Sequence, residues 1–333
     1  MNQILDEKLS LSELEYENSL RPKKLSEFIG QEKVKENLEI FIKSAKKRND
    51  VLEHILISGP PGLGKTTLAI LVANELGVNI KTTTGPVLER PFDLVGILTS
   101  LKKGDILFID EIHRVPKIVE EYLYSAMEDF VIDVILDKGP SAKTFRIRLE
   151  RFTLIGATTR MGLISQPLLG RFGIIFHLDY YANEEIFKIV MRSSKILNIK
   201  VDEESAYEIA RRSRGTPRIA NRLLRRVRDF AEVKNNGIVN LEITIHALES
   251  IGVDKFGLDD LDKKILRTII EKFRGGPVGI KTISLAVNED SGTIEEIYEP
   301  YLIRVGLIER TSRGRIATKL AYEHLGYEYN KLF

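Results

Sequence analysis

The run HILISGPPGLGKTTLAILVANEL (54–76) decides the fold. HILIS (54–58) is a short apolar stretch of the length of a buried strand. TTLAILVANEL (66–76) carries apolar residues at helical spacing. Between them, Gly59, Gly64, Lys65 and Thr66 satisfy the pattern GxxxxGK[ST]. Strand, glycine-rich loop and helix together make a phosphate cradle. The glycines let backbone N–H groups curl round a β-phosphate, Lys65 neutralises β- and γ-oxygens, and the Thr66 hydroxyl reaches Mg²⁺. Alone, the cradle implies only a bound nucleoside triphosphate, a property shared by kinases, transporters, switches and motors.

Working outward, four more apolar runs alternate with amphipathic stretches: VNIKT (78–82), DILFID (105–110), FTLIGAT (152–158) and IIFHL (174–178). Five short runs separated by helices predict a parallel sheet in a three-layer α/β domain. DILFID ends on Asp110, with Glu111 next. Asp110 is the expected water-mediated Mg²⁺ ligand and Glu111 the group that polarises an attacking water. A carboxylate directly after the metal ligand points to hydrolysis.

Three further features fall where an ATP-driven motor needs them. Thr158 and Thr159 end a strand, where either hydroxyl could sense a γ-phosphate; the sequence does not choose between them. Arg171, in PLLGRFG, precedes the last strand and could reach a neighbouring subunit's γ-phosphate as an arginine finger. Arg218 opens a helix in an all-helical region and could touch phosphates from a lid. Arg211, Arg212, Arg214, Arg222, Arg225, Arg226 and Arg228 surround it, which is also the pattern of a solvated face.

Composition narrows the class. The chain has 333 residues, 43% hydrophobic and 29% charged, with net charge +2 and no cysteine. That length allows two or three domains. Disulfides and thiolate metal sites are excluded. The five histidines are scattered without an HxxxH pair, which argues against a metal held by protein ligands alone. The first residues are polar and acidic, unlike a signal peptide, and no apolar run approaches the ~18 residues of a membrane span. A cytoplasmic protein with no membrane partner is expected.

The chain divides into an ATPase domain (1–181), whose first twenty residues read as an arm, a helical domain (182–252) and a terminal domain (255–333). Helices are expected at 183–197, 203–213, 217–234 and 241–250. Thr216 supplies an N-cap hydroxyl before Pro217, and NNG (235–237) a stop. In the terminal domain Ile265, Leu266, Ile269, Ile270 and Phe273 share one face of a first helix. GGP (275–277) follows, then a helix at about 281–288. Thr293 and Glu296 form a capping-box pattern for a third helix, which Pro300 should kink or shorten. LIER, TSRG and RIAT (307–318) read as strand, turn and strand. Three helices and a hairpin make a winged helix. Arg310, Arg313 and Arg315 at the wing suit contacts to DNA phosphates, which are independent of sequence and sensitive to salt.

RPKKLSEFIGQ (21–31), GPPGLGKTTLA (59–69), LFIDEIHR (107–114), AMEDF (126–130), GATTR (156–160) and GTPRIANRLLRRVRDFA (215–231) resemble an AAA+ ATPase. With GGPVGIKT (275–282), TIEEIYEPYLI (293–303) and RTSRGRIAT (310–318), the chain is similar, from about residue 15 to 326, to the RuvB family of Holliday-junction branch-migration motors. The resemblance implies ATP/ADP and Mg²⁺ as cofactors. Leu20 and Arg21 would lie on the adenine and ribose side, and Gly62, Lys65, Thr66 and Thr67 on the phosphates. Tyr181 would close on the nucleotide, and Glu128, Asp129 and Phe130 would lie near a subunit's nucleotide site. Arg171 becomes the finger acting in trans and Arg218 the lid sensor. It further implies a homo-oligomeric ring, a hexamer in the family, with partners RuvA, a RuvC resolvase and double-stranded DNA at four-way junctions. The setting is bacterial recombination, repair and the SOS response. Two departures stand out. Leu169 and Gly170 replace the usual Arg and Asp before Arg171, and Ser312 replaces a wing proline that would stiffen the turn.

VIDVILDKGPSAKTFRIRL (131–149) has two β-like arms about Lys138-Gly139-Pro140. Such a hairpin either packs one face on its own domain or protrudes. The resemblance favours protrusion, with Phe145 and Ile147 docking RuvA. Two other readings share parts of the pattern: a clamp-loader-like ATPase, and a DNA-binding regulator in which ATP only switches conformation.

Overall fold

The computed structural model describes residues 11–135 and 144–329. Helix α1 (Leu11–Leu20) leads. Then follow α2 (Glu32–Arg48), β1 (Ile55–Ser58), α3 (Lys65–Leu76), β2 (Ile80–Thr84), α4 (Pro91–Leu98), β3 (Ile106–Asp110) and α5 (Lys117–Glu128). The hairpin β4 (Val131–Ile135) and β5 (Thr144–Arg148) comes next, then β6 (Thr153–Thr158), α6 (Gln166–Leu169) and β7 (Ile174–His177). A parallel sheet runs in the order β2-β3-β6-β1-β7. Every residue of β1 and β6 is buried, because helices cover both faces of the inner strands, whereas edge strand β7 alternates buried and exposed. Register brings three carboxyl ends level: Ser58 pairs with Thr158, and Ile109, just before Asp110, with Gly156. All five expected strands form, β2 two residues later than expected.

Helices α7 (Asn183–Ile196), α8 (Glu203–Arg212), α9 (Pro217–Lys234) and α10 (Leu241–Ser250) form the lid, with a short parallel pair β8 (Lys200–Val201) and β9 (Ile238–Val239). Asp202 and Asn240 cap α8 and α10 by accepting the N–H of Ser205 (2.7 Å) and Ile243 (3.0 Å). Thr216 does not cap α9 as expected. Its hydroxyl is buried and turned back to the Arg214 carbonyl, and Pro217 alone starts the helix.

Chain contacts divide the protein into Arg21–Tyr181 and a second unit that joins α1 to everything from Ala182 onward. The leading arm therefore differs from its expected membership. The Tyr16 hydroxyl donates to the Asn221 carbonyl (3.3 Å), Arg225 lies over the Tyr16 ring, and Arg192 donates to the Leu20 carbonyl (2.7 Å). Helix α1 is a lid element.

The terminal domain comprises α11 (Asp260–Arg267), α12 (Ile280–Val287), α13 (Ser291–Thr293), α14 (Glu299–Arg304), β10 (Ile308–Thr311), β11 (Gly314–Ala317) and α15 (Lys319–Leu325). Ile265, Leu266, Ile269 and Ile270 are buried in its core as their spacing required, against Ile283, Ile294 and Leu302. One expectation changes: Asp290, not Thr293, caps the third helix, by accepting the Thr293 N–H at 3.0 Å. As expected of Pro300, the helix is irregular and short there: a π-turn at Ile294–Tyr298 interrupts it, and Pro300 stands in the first turn of the six-residue α14. At the wing, Gly314 has φ 139°, and a Cβ there would fall 2.4 Å from the Val278 carbonyl oxygen, so only glycine lets this strand close on residue 278. Among the described residues no helix is long and apolar enough to cross a membrane.

Candidate active site

The phosphate loop leaves β1 at Ser58. Gly59, Gly62 and Gly64 all have positive φ (143°, 79° and 102°). At Gly59 the position is also closed by space, since a Cβ would lie 2.5 Å from the Leu178 carbonyl oxygen. The Gly59 N–H donates to the Thr158 carbonyl (3.2 Å), which hangs the loop on β6. Below, the Tyr181 hydroxyl donates to the Leu63 carbonyl (3.1 Å) and the ring is buried. Tyr181 was expected to close on a nucleotide. Its hydroxyl holds the loop's own backbone, which places the residue directly beneath the expected phosphate site. Lys65 Nζ donates to the carbonyls of Gly59 (2.8 Å) and Pro60 (2.9 Å), so the loop wraps round the ammonium.

Thr66 and Thr67 start α3, where unpaired backbone N–H groups and the helix dipole favour an anion. The Thr66 hydroxyl donates to Asp110 Oδ2 at 3.3 Å. A hydroxyl and a carboxylate oxygen side by side are hard oxygen donors of the kind Mg²⁺ takes, directly or through water. The donor set therefore fits the ion that the motif implies. Asp110 Oδ1 accepts the Glu111 N–H (3.0 Å), so one oxygen is held and the other faces Thr66.

Glu111 sits in the left-handed region, φ 47°, which turns its side chain off the line of β3. The Thr159 hydroxyl donates to Glu111 Oε2 at 3.2 Å. His113 Nδ1 lies 3.2 Å from the same oxygen and hydrogen-bonds Thr158 Oγ1 at 2.9 Å. Burial pushes the imidazole below its usual pKa, helped by Arg160 and Arg114 and opposed by Asp110, so the ring is neutral at pH 7. Of the two candidate sensors, Thr158 is fully buried and engaged by His113 and by the Arg160 N–H (3.0 Å). The sequence left the two open; the geometry turns Thr158 inward and leaves Thr159 facing Glu111. His113 is the residue that sequence reasoning missed. It was quoted within DEIHR, but nothing in the spacing said which way a short helical turn would aim it.

A second cluster lies at the other end of the same sheet. Arg171 stands just before β7, whose first N–H, at Ile174, bonds the His54 carbonyl ahead of β1. Arg171 Nη2 donates to Glu128 Oε2 (2.8 Å) and Nη1 to the Pro167 carbonyl (2.6 Å), and the guanidinium lies 4.4 Å from the Tyr124 ring centroid. Phe130, with φ 53°, packs edge-on against Phe152 ahead of β6 at 5.8 Å. Arg171 and Glu128–Phe130 thus share the amino-terminal edge, while Lys65, Asp110 and Glu111 share the carboxyl edge. Strands of four to six residues separate the two edges by about 13–20 Å. In one chain these clusters cannot hold the same phosphate.

In the lid, Arg218 Nε lies 3.2 Å from Glu17 Oε1 on α1. Arg226 and Arg228 pair with Asp229, so part of the basic run is a locally neutralised face. Leu20 is buried and Arg21 half-buried where the two units meet in sequence.

The wing requires a correction. Arg315 is only 8% exposed. Its Nε donates to Glu299 Oε1 (3.0 Å), and its Nη2 to Glu299 Oε2 (2.8 Å) and Glu295 Oε1 (3.0 Å). That fork is satisfied inside the domain and offers no phosphate contact. Arg313 is exposed and Arg310 largely so. The hairpin needs another correction. Ile132 and Val134 are buried and Ile147, opposite Ile132, packs on the core, whereas Phe145, opposite Val134, is 50% exposed. The apolar face is packed at the base and opens outward, so of the expected pair only Phe145 is open to solvent. The turn Lys138-Gly139-Pro140 lies outside the described residues.

Three family models match in order: the Holliday junction DNA helicase RuvB P-loop domain over residues 20–178, the RuvB AAA lid domain over 181–254, and the RuvB C-terminal winged helix domain over 255–326. A relative from Parabacteroides distasonis, the Holliday junction branch migration complex subunit RuvB, is 60% identical over 323 residues, covering 97% of this chain and 95% of that protein. The structure of the Thermotoga maritima RuvB Holliday junction branch migration motor superposes with TM-score 0.86 at 49% identity, covering 94% of this chain and 100% of that one. A variant of the same protein superposes at 0.87, with 50% identity and 93% and 100% coverage.

Proposed function

The chain belongs to the RuvB family, and from that premise we propose how its residues divide the work of a branch-migration motor. It is a P-loop ATPase that drives Holliday-junction branch migration. The observation that carries the reading is the separation of the two clusters on opposite edges of one sheet. An ATP held by Gly62, Gly64, Lys65, Thr66 and Thr67 of one subunit needs the Arg171 of a neighbour, so hydrolysis requires a closed ring; a hexamer is the arrangement the family suggests. Mg²⁺ held by Thr66 and Asp110 would neutralise charge on the β- and γ-oxygens. Glu111 takes a proton from the attacking water, and Thr159 steadies its carboxylate. Arg171, preset by Glu128 and the Tyr124 ring, offers a fork-shaped guanidinium to the developing charge. Arg218 reports the phosphate state to the lid once a phosphate displaces Glu17.

The load is duplex DNA at a four-way junction, gripped through Arg313 and Arg310 by backbone charge. RuvA docks on the hairpin through Phe145, and a RuvC resolvase completes the assembly in the bacterial cytoplasm. The test is dissociation of a synthetic four-way junction with and without RuvA and ATP. RuvA-stimulated, ATP-dependent dissociation is expected, lost in Lys65→Ala and Glu111→Gln. ATP turnover on duplex DNA without junction movement would instead fit a clamp-loader-like ATPase, and junction binding without turnover a regulator.

A further inference from the structure

His113 is the one buried ring in the hydrolysis site to which the reading above gives no task. It is fixed from two sides. The turn Ile112–Arg114 follows directly on the left-handed Glu111, which brings the ring back across its own neighbour. Thr158 then meets it from β6, at 2.9 Å. Its Nδ1 lies 3.2 Å from Glu111 Oε2, and the side chain is 7% exposed. A carboxylate is only an acceptor, so an unprotonated Nδ1 would set a lone pair against it. That favours the tautomer with its proton on Nδ1, which is hydrogen-bonded to Thr158 Oγ1 and close to Glu111 Oε2. Thr158 is bound in turn to the loop, since its carbonyl receives the Gly59 N–H at 3.2 Å.

We propose that His113 is a positioning residue for Glu111, its Nδ1 fixing the carboxylate that activates water and tying it through Thr158 to the strand that carries the phosphate loop. This rests on the assignment of Glu111 as the base. Thr159 on one side and His113 on the other approach Glu111 Oε2 from different elements. Loss of the His113 contact loosens the carboxylate, and a misplacement of about 1 Å costs about 100-fold in rate.

The test is steady-state ATP hydrolysis by full-length His113→Ala, His113→Asn and His113→Gln beside Glu111→Gln. The asparagine amide places an N–H where Nδ1 stands; the glutamine amide reaches toward Nε2. His113→Ala and His113→Gln should lose roughly 10- to 100-fold in kcat with KM for ATP within about twofold, and His113→Asn should keep most of the rate. If His113→Ala does not fold, the asparagine–glutamine contrast decides. Equal rates in those two variants, or a loss confined to KM, overturn the proposal. An active Glu111→Gln overturns the base assignment itself, whereas an inactive Glu111→Gln beside a fully active His113→Ala overturns the role of His113 alone.

Discussion

Arg171 Nη2 lies 2.8 Å from Glu128 Oε2, at the edge of the sheet opposite the one that holds Lys65. This contact keeps a charged side chain in one orientation at the edge away from its own phosphate loop, which suits the proposed action on a neighbour. Arg171→Ala and Lys65→Ala should each abolish ATP hydrolysis. Mixed together, they should recover a measurable fraction, because a Lys65→Ala subunit still lends its finger to the loop of an Arg171→Ala subunit. Turnover in mixtures across a range of ratios checks this. No recovery at any ratio would mean that Arg171 acts within its own chain or only on folding.

Much of this site was legible in the sequence because its signals are local. The loop, the Asp110–Glu111 pair and the strand ends each follow from a few adjacent residues. What was not legible depends on pairs far apart in the chain. Thr158 and Thr159 are neighbours of the same type, and only the placement of His113, 45 residues earlier, separates them. Arg313 and Arg315 flank one glycine and looked equivalent, but Glu295 and Glu299 on the preceding helix claim one and not the other. Helix α1 was assigned to the domain it precedes, whereas its Tyr16 and Glu17 partners lie some 200 residues on. Strand alternation put Phe145 and Ile147 on one face but could not say how far the domain's core extends along it.

The wing arginines should separate in solution. Arg313→Ala should lower the slope of log affinity for duplex against log salt by about 1, with thermal stability unchanged. Arg315→Ala leaves Glu299, itself 3% exposed, without its main partner and should destabilise the terminal domain by about 3 kcal/mol. Titrations of a fluorescent duplex at several salt concentrations, with melting curves of the same preparations, distinguish the two. An unchanged slope for Arg313→Ala would remove it from the DNA surface.

The two hairpin positions should separate in the same way. Phe145→Asp should abolish RuvA binding on a sizing column while leaving basal ATP hydrolysis intact, since half its surface is already solvated. Ile147→Asp buries a charge against the domain core and should lower the melting temperature as well. Co-elution of Phe145→Asp with RuvA would show that docking uses other residues.

Between lid and terminal domain, Arg214 is buried with two carboxylates, Asp262 in direct contact and Asp259 Oδ2 at 3.7 Å, beneath the ring of Tyr301 and near Tyr298. One guanidinium compensates one negative charge, so the second is costly in a dry site. Burial, with Asp259 adding to it and Arg214 opposing it, pushes Asp262 up to about 7. A carboxyl whose folded pKa is raised contributes stability that is fully present below its unfolded value, about 3.9, and is lost as pH rises through the folded one. The pairing of lid and terminal domain should therefore weaken between about pH 4 and 7, opposite to the trend of an ordinary salt-bridged aspartate. Asp262→Asn keeps the shape and removes the titrating group, so its melting temperature should vary less over pH 5 to 8 than that of the parent. Asp262→Ala also deprives buried Arg214 of its direct partner and should cost about 3–5 kcal/mol at neutral pH. Parallel melting curves of the three proteins test both statements. A parent whose stability rises over that range while Asp262→Asn stays flat would mean that Asp262 is ionised in the fold and that Arg214 outweighs its burial.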